Sequence, residues 1–201
     1  MHNNYCIRRP KYIYMKVTGI SSSYHAGSNS GILVENILAG AKAAGAETQM
    51  LALKDLSIKP CTGCSVCKME GKTTCIQKDD FEKLIDSLRS ADIIVFGSPI
   101  YFGRPNAPFL NLIDRFYSQM NPDFTTRLPK NKKFAVVLTS GSGAEETTTP
   151  IIGEMKRVFG QYFGWEYAGL FARNQLYAPR EVEGRATDIE AAKAFGKKLT
   201  E

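Results

Sequence analysis

The chain has 201 residues, a formal net charge of +6, 43% hydrophobic and 23% charged residues, 17 Gly and 9 Pro. That balance excludes collagen-like and largely disordered classes, and the length suffices for a core without disulfides, with about 150 residues per domain favouring a single one. The positive charge fits solubility, an acidic partner or nucleic acid, and charge alone does not choose among them.

Residues 1–14 carry Arg8, Arg9, Pro10 and Lys11 without periodicity and read as an extension ahead of a domain at 15–201. No apolar h-region marks a secretory signal there, and no apolar run approaches the roughly 18 residues that span a bilayer. The expectation is a cytoplasmic protein with no membrane partner. From Met15 the pattern predicts strand 15–20, helix 29–44, strand 47–52, helix 79–89, strand 92–97, helix 106–118, strand 133–139, helix 149–163, a weak strand 166–172 and helix 187–199. Such alternation implies βαβ crossovers and a parallel sheet. In helix 106–118, Phe109, Leu112, Ile113 and Phe116 form one stripe, with Asn106 as cap ahead of Pro108. In helix 149–163 the stripe is Ile151, Met155, Val158, Phe159 and Tyr162, with Thr149 as cap and Pro150 in the first turn.

Ligands of open parallel sheets sit beyond the carboxyl ends of the strands, so the loops there are where function is sought. The first, Ser21 to Ser30, has neither a G-x-G-x-x-G nor a Walker run. Its hydroxyls and the following helix N-terminus suit an anion such as a phosphate monoester, and equally a solvated turn in which Ser28 or Asn29 merely caps the helix. The second is Gly97-Ser98-Pro99-Ile100-Tyr101-Phe102-Gly103. There Pro99 is expected to stop the strand, and Tyr101 and Phe102 either line a planar ring or pack under the next helix. The third, Thr139 to Glu146, contains Ser140, Gly141, Ser142 and Gly143. Three small-residue loops on one edge suggest a phosphate-tailed aromatic ligand.

In these loops, and in Leu112-Ile113-Asp114-Arg115, the chain resembles the flavodoxin-like NADPH-dependent FMN reductase superfamily over about Met15 to Leu199. The resemblance implies an α/β flavodoxin-like fold with a five-stranded sheet of order 2-1-3-4-5. It also implies FMN, with Ser21, Ser23, His25, Ser28, Asn29 and Ser30 around the phosphate. Pro99, Ile100, Tyr101, Phe102 and Gly103 would touch the isoalloxazine, with Ser140, Gly141 and Gly143 at its other edge. Where relatives often carry Gly-Ser-Pro-Arg, this chain has Ser22-Ser23-Tyr24-His25, which exchanges a permanent cation for a titratable imidazole.

Four of the five cysteines form Cys61-x2-Cys64-x2-Cys67-x7-Cys75; Cys6 stands apart as incidental. Three thiolates at successive i+3 positions can wrap one face of a cubane and a distant fourth can complete it, which makes a [4Fe-4S] cluster the preferred reading. The x7 spacing and the lack of a following Pro distinguish the motif from a ferredoxin module. Zinc and free or redox-switching thiols remain the alternatives. Within the superfamily, a compact cysteine motif at 59–78 resembles the iron-sulfur flavoproteins. That resemblance implies one FMN and one cluster per subunit, in a homodimer or homotetramer that brings one subunit's cluster near another's flavin.

Such a pair couples one-electron to two-electron chemistry and demands no side-chain acid, base or nucleophile. Accordingly no catalytic residue is nominated; His2 and His25 are the only histidines and neither has a triad-like context. The expected activity is an oxidoreductase passing electrons from a ferredoxin-like donor to a small-molecule acceptor, with O2 or H2O2 suggested by the resemblance. An NAD(P)H-dependent FMN or quinone reductase whose cysteines hold zinc or nothing is the alternative. A basic zinc-bearing nucleic-acid module is disfavoured by the three loops and by the lack of interleaved basic and aromatic runs.

Overall fold

Strand β1 (Lys16–Ser21) lies between β2 (Glu47–Ala52) and β3 (Ile93–Tyr101) in the computed structural model, which describes residues 15–142 and 145–201. The expected extension at 1–14, with Cys6, and the candidate Gly143 lie outside the described residues. A two-residue strand β4 (Arg104–Pro105) pairs antiparallel with the end of β3, and β5 (Lys133–Thr139) and β6 (Glu166–Arg173) continue the parallel sheet beyond β3. The parallel order is β2-β1-β3-β5-β6, which is the expected 2-1-3-4-5 arrangement with β4 set aside. Val17, Ile20, Ile93, Ile94, Val95 and Phe96 are buried, as central strands covered on both faces require.

Helices α1 (Asn29–Ala43) and α5 (Ala186–Leu199) cover one face; α2 (Phe81–Ser90), α3 (Ala107–Phe116) and α4 (Glu145–Met155) cover the other. Helices α1 and α5 cross so closely that a Cβ on Gly40 would lie 1.9 Å from the Lys193 carbonyl oxygen, and one on Gly196 would lie 1.9 Å from that of Ile37. Close packing fixes the start of α5 relative to α1 and lays the segment between β6 and α5 over the N-terminus of α1.

Two expectations need correction. Pro99 does not stop its strand: β3 pairs with β5 through Pro99↔Thr139, then turns its last two residues to β4. A proline there loses one donor without ending the pairing, because a new antiparallel partner takes over. The helix expected to begin at Thr149 begins at Glu145, so Thr149 does not cap it and Pro150 lies inside it. From Lys156 to Tyr162 the winding widens to a π-helix, with the Phe163 N–H donating to the Val158 carbonyl oxygen. The wider turn buries Phe159 and Phe163 and leaves Tyr162 52% exposed, where a 3.6-residue period would bury it. Phe159 stacks on Phe96 and on Trp165, with ring centroids 4.5 and 5.4 Å apart.

Candidate functional site

Beyond the carboxyl ends of β1, β3 and β5 lies a cavity of about 320 Å³. Ser23, His25, Ser28, Asn29 and Ser30 line it from the first loop, Pro99, Ile100 and Tyr101 from the second, and Thr139, Ser140 and Gly141 from the third. Ser28 caps α1, its hydroxyl accepting from the Gly31 N–H at 3.2 Å. The other first-turn N–H groups of such a helix have no intrahelical partner, and the helix dipole adds partial positive charge at this point. Ser30 lines the cavity, and its Oγ is buried with no hydrogen-bond partner. Ser21 instead faces a neighbouring polar groove on the β2 side, whose wall shares Ser23, His25 and Ser28.

Asn106 welds the first loop to the second. Its Oδ1 accepts from Ser22 Oγ at 2.7 Å, from Ser98 Oγ at 3.2 Å and from the Phe109 N–H at 3.3 Å, while its Nδ2 donates to the Ser22 carbonyl oxygen at 2.9 Å. The expected cap of α3 is thus also the tie between two sides of the cavity. Ser22 and Ser98, both buried, serve that tie.

The sequence reading overlooked a fourth wall, formed by Leu176, Tyr177, Ala178 and Pro179 after β6. Glu181 holds this turn by accepting from the Tyr177 and Ala178 N–H groups at 2.7 and 3.0 Å, which keep its carboxyl below the usual range. Asn29 belongs to the same brace: Nδ2 donates to the Ala178 carbonyl oxygen and Oδ1 accepts from the Val182 N–H. One Nδ2–H and the Oδ1 of Asn29 thus brace the fourth wall, while the residue also lines the cavity. Arg180 approaches the first loop from here, its N–H donating to the Gly27 carbonyl oxygen at 2.9 Å and its guanidinium pairing with Glu183. His25 turns Nδ1 to the Ala26 carbonyl oxygen at 2.7 Å and stays exposed.

Tyr101 is 59% exposed and Phe102 fully so, which removes the expectation that they pack under α3. Phe102 and Gly103 form the tip of the β3–β4 hairpin, with φ of 50° and 76°, and do not line the cavity. A bulky aromatic at positive φ is strained.

The cysteine segment lies where expected, between β2 and α2, and is built differently. Its only regular element among the described residues is a 3-10 turn at Val66–Lys68. Cys61, Cys64, Cys67 and Cys75 line one small cavity together with Arg115, Tyr117 and Ser118. Cys61 and Cys64 are exposed, Cys75 half-buried and Cys67 buried. The Val66 N–H and the Thr62 hydroxyl lower the Cys64 thiol from its ordinary value, whereas burial raises that of Cys67. Among the described residues no three His, Cys, Asp or Glu side chains are gathered to hold one metal ion.

The segment is clamped at its neck. Arg115, only 1% exposed, donates from Nη1 to Asp79 Oδ2 at 2.5 Å and to the Lys59 carbonyl oxygen at 2.7 Å, and from Nη2 to Asp79 Oδ1 at 3.1 Å. Asp79 also accepts from the Lys59 and Phe81 N–H groups. Burial opposes its charge, but these bonds outweigh that and hold its carboxyl below the usual range. Arg127 donates to the Cys67 carbonyl oxygen, and Lys68 reaches the carbonyl oxygens of Tyr117 and Met120.

The NADPH-dependent FMN reductase family matches residues 15–161. An iron-sulfur flavoprotein of Methanocaldococcus jannaschii is 32% identical over 192 residues, spanning 93% of this chain and 96% of that one. The chain belongs to the iron-sulfur flavoprotein family, within the FMN reductases. Among solved structures, an NAD(P)H:quinone oxidoreductase from Methanothermobacter marburgensis superposes with a TM-score of 0.72 at 16% identity, over 94% of this chain and 98% of that one. An archaeal flavodoxin gives 0.54 at 16% identity over 92% and 96%, and the fold is flavodoxin-like.

As a member of this flavoprotein family the chain is an FMN-dependent oxidoreductase. The residues at the sheet edge fit that cofactor: a capped helix N-terminus, small hydroxyls and the unpartnered, buried Ser30 Oγ suit a phosphate, and the small residues of the second and third loops leave room for a ring. The fourth wall was within reach of the same strand-end rule that found the other three. Arg115 ends a run that carries the family resemblance, but nothing in that run marks it as buried against a partner 36 residues away.

Proposed function

We propose that the protein is an electron-transferring oxidoreductase that holds FMN at the sheet edge and a [4Fe-4S] cluster on Cys61, Cys64, Cys67 and Cys75. The supporting observation is that all four cysteines, two of them more than ten residues apart in sequence, border one cavity beside a buried guanidinium. A cubane spreads its four sulfur ligands over four irons, and a cation beside them offsets their negative charge.

FMN exchanges two electrons and a [4Fe-4S] cluster one, so together they link a ferredoxin-like donor to a small acceptor such as O2 or H2O2. The chain's own residues bind and orient. Ser23, Ser28, Ser30 and the α1 N-terminus hold the phosphate; Pro99, Ile100, Tyr101, Ser140 and Gly141 border the ring; Tyr177 closes the edge over Gly141. A homodimer or homotetramer is supported by an apolar groove of about 540 Å³ beside Cys61, lined by Phe116, Tyr117, Phe124, Tyr162 and Phe163. No described helix is long and apolar enough to cross a membrane.

The family's description favours a second reading, in which NAD(P)H reduces the flavin directly and the cysteines carry zinc or no metal. The visible spectrum and metal content of protein purified without oxygen separate the two. Flavin bands on a broad cluster absorption, with about four irons per chain, support the cluster. Yellow protein free of iron and reducible by NADPH establishes the alternative.

A further inference from the structure

Each cation around the cysteine cavity has its donors engaged, with one exception. Lys68 donates to two carbonyl oxygens, and Arg127 donates to the Cys67 and Ser118 carbonyl oxygens and to Asn121. Both Nη atoms of Arg115 are taken by Asp79 and Lys59. Its Nε–H is buried, has no hydrogen-bond partner of good geometry and belongs to a side chain that lines the cavity. Cys75 is close enough to the guanidinium to interact with it. A buried donor left unmade costs about 1–3 kcal/mol, so an unpartnered N–H on a cavity wall marks where an acceptor belongs.

We propose that Arg115 tunes the reduction potential of the group held by the cysteines, its Nε–H directed at the sulfur of Cys75 and its fixed charge set against the cavity wall. This rests on the cluster reading given above. Hydrogen bonds to the sulfurs and nearby positive charge stabilise the reduced, more negative state, and both raise the potential. Asp79 holds the guanidinium plane by its two Nη atoms, which leaves the Nε–H without a partner. Arg115 is thus a positioning residue that acts through the ligand sulfur, and it has no role in holding iron by itself.

Potentiometric titration with EPR detection tests the assignment on holoprotein reconstituted anaerobically with iron and sulfide. Arg115→Lys keeps a charge but removes the Nε donor; Arg115→Gln with Asp79→Asn removes the charge without stranding a buried carboxylate. In the fraction of each variant that carries a full cluster by EPR spin count, the cluster potential falls by about tenfold in the reduction equilibrium, about 59 mV for one electron. The flavin potential stays where it is. Pulsed EPR of the reduced parent grown on ¹⁵N-arginine provides a measurement that needs no variant: coupling to an arginine nitrogen is expected, and its absence overturns the proposal. Full iron content with unchanged cluster potentials overturns the Arg115 assignment and leaves the cluster reading standing. A parent chain that takes up no iron overturns both.

Discussion

The flavin cradle and the cysteine segment are held by opposite means. The cradle is assembled from the ends of parallel strands, so its position follows from sheet register, and a buried asparagine, Asn106, only joins loops already adjacent. The cysteine segment lacks a sheet or helix to place it, and one buried ion pair, Arg115–Asp79, closes its neck while surface-reaching Lys68 and Arg127 pin its far side. A site made from strand ends tolerates the loss of one polar contact; a site made from a clamped loop depends on its clamp.

The largest effect therefore belongs to Asp79→Asn. Leaving Arg115 buried without its counter-charge is expected to cost about 3–5 kcal/mol in urea unfolding, and to lower iron uptake more than FMN binding. The parent protein shows the same dependence in acid. The Asp79 carboxyl is held below its ordinary value in the folded state, so the stability it confers is complete above about pH 4 and is lost as pH falls through the depressed folded value. Equal losses of iron and FMN in the variant would show that the two regions are not independently held.

Cys64→Ala sharpens the contrast without touching the clamp. Cys64 is exposed and has no part in either core, so iron per chain is expected to fall severalfold while FMN affinity and the unfolding midpoint barely move. Metal analysis beside flavin fluorescence titration decides this, and full iron retention would remove Cys64 from the ligand set.

How far each region is legible in the sequence follows from the same contrast. Alternating Val/Ile-rich runs and amphipathic stripes announce the parallel strands, the family resemblance supplies their order, and loops at strand ends announce three walls of the cavity. The π-turn at Lys156–Tyr162 is not written in a 3.6-residue period, because it arises from fitting Phe159 and Phe163 against Trp165. Asn29 looks like a phosphate ligand by position, yet spends one Nδ2–H and its Oδ1 on Ala178 and Val182, partners 149 and 153 residues away. Cysteine spacing is plain, whereas the Arg115–Asp79 clamp that places the cysteines is a long-range pairing between two unremarkable charged residues.

Asn106→Ala is the corresponding break in the cradle. It strands the buried Ser22 hydroxyl and carbonyl oxygen and removes a helix cap, while Ser98 Oγ keeps the Pro99 carbonyl oxygen, for an expected cost of about 2–3 kcal/mol in stability. Ser30→Ala is milder and divides by state. Without FMN the buried, unpartnered hydroxyl is a cost, so the variant apoprotein should unfold at the same or a slightly higher urea concentration. FMN affinity should nevertheless weaken by about tenfold, as expected for a hydrogen bond to a charged phosphate, with riboflavin affinity unchanged. Unchanged affinity for both would move the phosphate away from Ser30.

The smallest expected effect concerns the cation that the first loop lacks. The first loop offers only the exposed imidazole of His25, and Arg180 reaches the same loop from the fourth wall, bonded to Gly27 and paired with Glu183. Its guanidinium is 66% exposed, so solvent screens it and its pull on a phosphate dianion is worth only about 0.3–1 kcal/mol, roughly two- to fivefold in affinity. Glu183→Gln should act in the opposite direction, since it removes the anion that competes for that charge. Because an arginine stays charged, the parent's affinity should change little between about pH 7 and 9, where the phosphate is already a dianion. Arg180→Ala should weaken binding by that two- to fivefold. FMN titrations of apoprotein across that range, repeated at high salt to screen the exposed charges, decide this. Equal FMN affinity in the parent and in Arg180→Ala would remove Arg180 from the phosphate's surroundings.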